Sequence, residues 1–206
     1  LCADSGYYET FNRENVTLVD ISDDSIDTFD EKGINLSSGK HISLDDVVFA
    51  TGFDAMTGAL DKIDIIGKDQ ISLRKKWKEG PKSYLGLGIA GFPNLFHIAG
   101  PGSPSVLTNM LVSIQQHVEW ITDCITWMRE KGFSKIEASK EAENSWVAHV
   151  NEVADLTVYP LCNSWYLGAN IPGKTRQFMP YVGGFPPYVE KCNDVASKGY
   201  EGFKVS

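Results

Sequence analysis

Apolar and polar residues along this chain change period several times, and each change marks an element. The clearest lies at 94–110, NLFHIAGPGSPSVLTNM. Leu95, Phe96, His97, Ile98 and Ala99 form a short apolar run with the length and β-rich composition of a strand buried on both faces. The run breaks at Gly100-Pro101-Gly102-Ser103-Pro104. Beyond it Val106, Leu107, Met110, Leu111, Ile114, Val118, Ile121, Ile125 and Met128 recur with helical spacing. The spacing predicts a helix running to Glu130, closed by Lys131 and a terminal glycine, Gly132. A strand turning through glycines into a helix gathers free backbone N–H groups and the positive end of a helix dipole at one sheet edge, so this stretch is a candidate cofactor wall.

Upstream, Tyr7–Phe11 reads as a short helix and Val16–Asp20 as a strand. Ile26–Phe29 and Gly33–Leu36 follow at hairpin spacing, with Asp30-Glu31-Lys32-Gly33 as the turn. His41–Leu44 leads into Asp45–Ala50, a second buried-strand candidate that ends in Thr51-Gly52-Phe53-Asp54. Three short antiparallel strands feeding a buried one predict a β-meander on the edge of a larger sheet. From Ala55 to Asn94 the pattern weakens into turns, with a short strand at Tyr84–Leu87.

After Gly132, Ser134 or Ser139 can cap a helix whose apolar face is Ala142, Trp146, His149, Val150, Val153, Ala154 and Leu156. Leu161–Arg176 has no periodicity but carries Trp165 and Tyr166, and a loop this long with two large aromatics is more often functional than passive. Phe178–Val182 reads as a strand and Tyr188–Lys198 as a last helix. The pattern describes a mixed α/β chain. Strands dominate residues 1–100, and helices dominate 101–206 with an aromatic loop at 160–176.

Composition narrows the classes. The 206 residues carry a net charge of −8 and a pI near 5.0, without the basic footprint that a nucleic acid or an anionic membrane requires. The short run Arg74, Lys75, Lys76, Lys78 reads as a solvated loop face. No apolar run reaches the ~18 residues of a membrane span, and the first residues have neither the basic start nor the apolar core of a signal peptide. A soluble, cytoplasmic protein is expected. Leu1 opens as though inside a loop, which suggests part of a longer protein.

Cys2, Cys124, Cys162 and Cys192 are scattered, with no Cys-x-x-Cys pair and no histidine at ligand spacing, so neither a metal site nor a disulfide framework is indicated. His117 reads as a core or boundary histidine. Gly86-Leu87-Gly88-Ile89-Ala90-Gly91 matches G-x-G-x-x-G literally, but no strong strand precedes it and Phe92-Pro93 follows where a helix is needed. No nucleophile elbow and no acid/base carboxylate pair stand out. Residue chemistry alone leads to a ligand-facing α/β half-domain. On that basis Met110 is an ordinary core methionine and Trp165 a packed loop aromatic.

Six segments carry a resemblance further: Ala50–Asp54, Gly91–Leu95, Ala99–Ser105, Asn109–Ile114, Ser164–Asn170 and Lys198–Phe203. Together, in one register over essentially the whole chain, they resemble the C-terminal part of Baeyer–Villiger monooxygenases of the phenylacetone and cyclohexanone types. The resemblance implies part of an FAD/NAD(P)-binding, Rossmann-like flavoprotein domain that uses FAD, NADPH and O2 to insert oxygen next to a ketone carbonyl. It implies that Met110 contacts the flavin ring and that Trp165 sits on a mobile loop closing over NADP and the substrate cavity. Pro104, Ser105, Val106 and Leu107 match the bulge that shapes the substrate pocket, with Val106 where the phenylacetone type has a smaller residue. Thr51, Gly52 and Asp54 fall at the strand end beside the flavin domain, where a tight structural turn is an equal reading. The family's nucleotide-binding glycine motifs, its histidine-containing fingerprint and its active-site arginine are expected upstream of these residues. A flavin monooxygenase acting on nitrogen or sulfur, or a module that folds without holding flavin tightly, would share the α/β junctions.

Overall fold

The long helical pattern is real, but the apolar positions that reveal it in the sequence are not the face it buries. In the computed structural model, which describes residues 5–206, helix α4 runs Met110–Lys131. Its buried residues are Ser113, His117, Trp120, Cys124 and Met128. Leu111, Val112, Val118 and Ile125 lie exposed, Leu111 at 78%. The helix starts later than the spacing suggests: 105–107 form a separate 3-10 turn, Thr108 is extended, and Asn109 accepts the Leu111 N–H at 3.1 Å as N-cap. Gly132 closes it in the left-handed region at φ 75°, as the sequence predicts.

The described chain divides into two compact units, one ending at Ala50 and one spanning Thr51–Ser206; residues on either side of 100 belong to the same unit. In the first, helix α1 (Tyr7–Thr10) precedes a three-stranded antiparallel meander of β1 (Ile26–Asp30), β2 (Gly33–Leu36) and β3 (His41–Ser43). Phe29 pairs with Ile34, and Ile34 with Ile42. Gly33 is obligatory, because a Cβ there would collide with the Ile42 carbonyl oxygen. The third strand is His41–Ser43, whereas Val16–Asp20 forms no strand. Asp45–Ala50, expected as a buried strand, is neither paired nor buried, with Val48 at 88% and Phe49 at 70% exposure. An apolar run becomes a strand only where neighbouring backbones accept from its N–H groups and donate to its C=O groups, and no described residue flanks it that way.

The same reason governs the other corrected strands. Leu95–Ala99 contributes a single bridge, Gly88 to Phe96, and Tyr84–Leu87 is a tight turn bridged from Tyr84 to Gly88. Phe178–Val182 is irregular, although Phe178, Met179 and Tyr181 are buried. The glycine decoy at 86–91 belongs to this turn, where a Cβ on Gly86 would lie 2.6 Å from that of Ser103.

The second unit is built on helices. After α2 (Gly58–Asp61) and α3 (Leu73–Lys76) come α4, β4 (Ile136–Ala138), α5 (Lys140–Asp155), α6 (Phe185–Ser197) and β5 (Phe203–Val205). Ser139, not Ser134, caps α5 by accepting the Ala142 N–H at 3.1 Å. Pro186 and Pro187 occupy the first turn of α6, where a missing N–H is harmless, so this helix starts earlier than expected. The pairing of β4 with β5, Glu137 opposite Lys204, had no signal in the sequence because each strand is three residues long. The core gathers Leu85, Leu87, Trp120, Cys124, Trp146, Val150, Tyr188, Cys192, Val195 and Tyr200. Trp120 donates to the Cys192 carbonyl at 2.9 Å and meets the Tyr200 ring at 5.0 Å. Cys124 and Cys192 are free thiols pushed up to about 12 by burial, and Cys162 is free and exposed; Cys2 lies outside the described residues.

Lys76 departs from the solvated run in which the sequence placed it. Its ammonium donates to Glu143 Oε2 at 2.8 Å and to the Ala90 carbonyl at 2.8 Å, while Glu143 Oε1 accepts the Ala90 N–H at 2.9 Å. Glu143 is 1% exposed and Lys76 part-buried, and each carboxylate oxygen accepts one hydrogen bond. Arg74, Lys75 and Lys78 are exposed, as expected.

His117 is the polar centre of the core. Its Nδ1 accepts the Ala99 N–H at 2.9 Å, so its hydrogen resides on Nε2, which donates to the Tyr188 hydroxyl at 2.9 Å; that hydroxyl donates to the Leu85 carbonyl at 2.7 Å. Burial lowers the His117 pKa to about 4, and that of His97, whose two ring nitrogens have no hydrogen-bond partner among the described residues, to about 4 as well. The folded protein holds both rings neutral below the ordinary value near 6.5. Their contribution to stability is therefore fully present above about pH 6.5 and is lost as pH falls toward about 4.

Two stability predictions follow from this packing. Trp120→Ala lowers unfolding stability by about 3–5 kcal/mol, whereas Leu111→Ala costs less than about 1 kcal/mol; similar losses in urea titrations would reject the assignment of the buried face. The thermal midpoint declines between pH 6.5 and 4. His97→Phe makes that decline shallower and adds about 1 kcal/mol at neutral pH by removing unpartnered buried nitrogens, and a steeper decline or a less stable variant would contradict it.

Candidate functional site

The segment 99–107 is backbone held under strain. Ala99 and Ser105 lie in the left-handed region at φ 54° and 45°, where non-glycine residues are uncommon. Distant parts of the chain fasten nearly every polar group between them. His117 takes the Ala99 N–H, and the Ser83 hydroxyl donates to the Pro101 carbonyl at 2.5 Å. The Trp146 indole donates to the Gly102 carbonyl at 2.9 Å, and the Gly102 N–H to the Met179 carbonyl at 2.7 Å. The Tyr181 N–H donates to the Ser103 carbonyl at 2.7 Å, and Ser103 Oγ to the Gly100 carbonyl at 2.8 Å. Pro104 and Ser105 are buried as a consequence, Val106 faces outward at 38% exposure, and Leu107 is partly buried against the core.

Met110 begins α4 half-buried, which sets it apart from an ordinary core methionine. Of the first four N–H groups of this 22-residue helix, Asn109 engages two: Leu111 through its side chain and Ser113 through its carbonyl, at 3.0 Å. The amides of Met110 and Val112 remain available at the positive end of the dipole.

Thr51, Gly52 and Asp54 form an exposed extended segment, with Gly52 at φ 79°. Two arms leave it. Met56 lies 3.5 Å through sulfur from the Ser105 hydroxyl. On the other side Asn170 Nδ2 donates to the Phe53 carbonyl at 3.0 Å, and the Lys174 ammonium donates to Asp54 and, at 2.8 Å, to the Thr57 hydroxyl. The 51–57 segment therefore touches both the 104–107 turn and the aromatic loop, bringing together three groups of residues that lie far apart in sequence.

The loop is irregular, as its sequence predicts, with short 3-10 turns at Tyr159–Leu161 and Trp165–Leu167. Ser164 accepts the Tyr166 N–H at 3.2 Å, and Trp165 is 37% exposed against the Tyr166 ring at 4.2 Å. Thr57, Lys174 and Arg176 join the constellation without having been singled out. The available signal was charge: Lys174 and Arg176 are the only two charged residues between Asp155 and Glu190. No helix among the described residues is long and apolar enough to cross a membrane.

No family model matches the chain. It is 45% identical over 200 residues to a Baeyer–Villiger monooxygenase of Pseudooceanicola batsensis, covering 97% of this chain and 36% of that protein. It is 42% identical over 205 residues to cyclohexanone 1,2-monooxygenase of an Acinetobacter species, covering 100% and 37% respectively. Among solved structures, the OTEMO complex with FAD and NADP superposes with a TM-score of 0.87 at 39% identity, covering 98% of this chain and 37% of that one. The chain thus spans little more than a third of the length of the relatives it matches, and over that stretch it is similar to Baeyer–Villiger monooxygenases.

Proposed function

We propose that this chain forms part of an NADPH- and O2-dependent flavoprotein monooxygenase that inserts oxygen next to a ketone carbonyl, yielding an ester or lactone. The carrying observation is the convergence of the 104–107 turn, the 51–57 segment and the Trp165 loop in a chain 42% identical to cyclohexanone 1,2-monooxygenase over its full span. FAD and NADP are the cofactors read from the likeness to the OTEMO complex that holds both.

The residues present fit the ring end of a flavin. The open first turn of α4 offers N–H groups to electron-rich ring oxygens, and Met110 beside it offers a polarizable apolar contact. Bound FAD would supply the hydride acceptor and the O2 chemistry. The chain's own part is shape and exclusion. Pro104 to Leu107 shape the substrate wall, and Val106 at the rim narrows the access open to a ketone. Trp165 covers NADP and the cavity, its ring shutting out water and its indole N–H free to donate. Thr51, Gly52 and Asp54 lie on the cofactor side, where Asp54 and the Phe53 carbonyl anchor that loop. Such a site holds its substrate by fit, since no carboxylate or histidine is placed at the 104–110 turn to act as base.

The test uses the intact gene product with NADPH and a panel of ketones, amines and sulfides. Flavin absorbance with ester formation from ketones supports the reading, nitrogen or sulfur oxides without esters would replace it, and colourless, inactive protein would remove it. Trp165→Ala keeps FAD but slows NADPH-coupled oxygenation about tenfold or more; unchanged coupled turnover would sink the lid assignment.

A further inference from the structure

Given that residues 160–176 cover the site, as proposed above, the way the loop is fastened shows what sets its closure. One end is fixed within the loop's own frame. The Arg176 guanidinium collects Asn163 Oδ1 at 2.5 Å and the carbonyls of Pro160 and Cys162 at 3.0 and 2.6 Å. The N–H groups of Gln177 and Met179 donate to the carbonyls of Leu167 and Tyr166 at 3.1 and 2.9 Å. These bonds hold the loop's shape, and Gln177 Nε2 to the Pro81 carbonyl at 2.7 Å, Met179 to Gly102 and the buried Leu167 seat its base on the core, but none of them reaches the 51–57 segment.

Lys174 does the opposite. Its stem crosses Gly168, where an added Cβ would come within 3.0 Å of the lysine methylenes, so the turn bearing Trp165 rests on this side chain. Its ammonium leaves the loop to reach Asp54 and Thr57 Oγ1, while Asn170 adds one neutral bond to the Phe53 carbonyl and the Thr175 hydroxyl one to the Lys78 carbonyl at 2.9 Å. The Lys174 side chain is 16% exposed, enough desolvation to strengthen the charge pair beyond that of a surface contact. A cleft of about 490 Å³ runs alongside, bordered by Asp54, Thr57, Asp61, Gly173 and Lys174. Within it Asp61 Oδ1 is buried and unpartnered, and the Asp61 pKa is raised by burial and by the charge of Asp54. Lys174 is thus the ammonium that bonds Asp54, while the Arg74 guanidinium also acts on Asp61, and Lys75 and Lys78 line the same cleft.

We propose that Lys174 is a positioning residue: with Asp54 and Thr57 it forms an electrostatic clasp that sets the closed position of the Trp165 loop. The two halves of the clasp are unequal. Removing the Asp54 charge leaves Lys174 with Thr57 and Asp61, whereas removing the Lys174 charge leaves Asp54 without its bonded cation beside an Asp61 that only Arg74 then offsets. Lys174→Met therefore opens the loop more than Asp54→Asn does.

In the intact enzyme, chymotrypsin cleavage within Trp165–Leu167 reads the open population independently of turnover. Cleavage in the presence of NADP+ is expected to quicken about tenfold for Lys174→Met and less for Asp54→Asn. The KM for NADPH should rise by a similar factor while the FAD content is unchanged. The exchange variant Asp54→Lys/Lys174→Asp, which restores opposite charges, should recover much of the loss. Wild-type cleavage rates and KM in both single variants would overturn the clasp. So would an exchange variant as open as Lys174→Met, because a merely structural role would not respond to charge complementarity. Cleavage that follows the clasp in an enzyme forming no ester would fail the ketone reading and leave the clasp; ester formation with unresponsive cleavage would do the reverse.

Discussion

The constraint on which the second unit depends is the hydrogen-bonding of a strained glycine-proline segment, 99–105, that cannot satisfy itself. Ser103 closes the turn onto the Gly100 carbonyl, and the remaining partners come from His117 in α4, Trp146 in α5, Ser83 in the preceding turn, and Met179 and Tyr181 after the aromatic loop. Each such bond is worth about 1 kcal/mol net, but leaving one of these buried groups bare costs more, so the arrangement is held by what its loss would expose. That is the reason a polar residue, His117, lies on the buried face of α4.

Holding this segment constrains what surrounds it. The Tyr188 hydroxyl, receiving from His117 and donating to Leu85, fastens α6 to the 84–88 turn and completes a chain of donors and acceptors with a single consistent direction. The Glu143 carboxylate plays a matching part on the other side of the unit, joining α5 to α3 and to the Ala90 backbone. Both networks rigidify the frame below the site, while the residues read as touching ligand, Val106, Met110 and Trp165, stay at its partly exposed rim. Rigid support beneath an adaptable rim suits a cavity whose chemistry belongs to the cofactor and whose protein contribution is position and dryness.

Most local features were legible in the sequence because they depend on few residues. The hairpin turn around Gly33, the glycine closing α4, the serine capping α5, the literal but empty glycine motif at 86–91 and the irregular 160–176 loop each follow from side-chain chemistry within a few positions. The roles proposed for residues 51–54, 104–107, 110 and 165 come from likeness to a family, whereas pattern alone marks 94–110 as a candidate cofactor wall and 161–176 as a functional loop. No periodicity links them, and the contacts that join them, Met56 to Ser105 and Lys174 to Asp54, span 49 and 120 residues.

By itself the sequence determined the Gly33 hairpin, the long helices after residue 109 and the mixed α/β character. Only the tertiary structure decided which face of α4 is buried, which apolar runs pair as strands, and which cations are solvated. Helical spacing shows that a face exists, yet a buried polar residue such as His117 is paired only when Ala99 and Tyr188 arrive from elsewhere. An apolar run such as Asp45–Ala50 is likewise a strand only when another backbone lies beside it. Burial and pairing are properties of at least two segments at once, and a linear pattern reports on one.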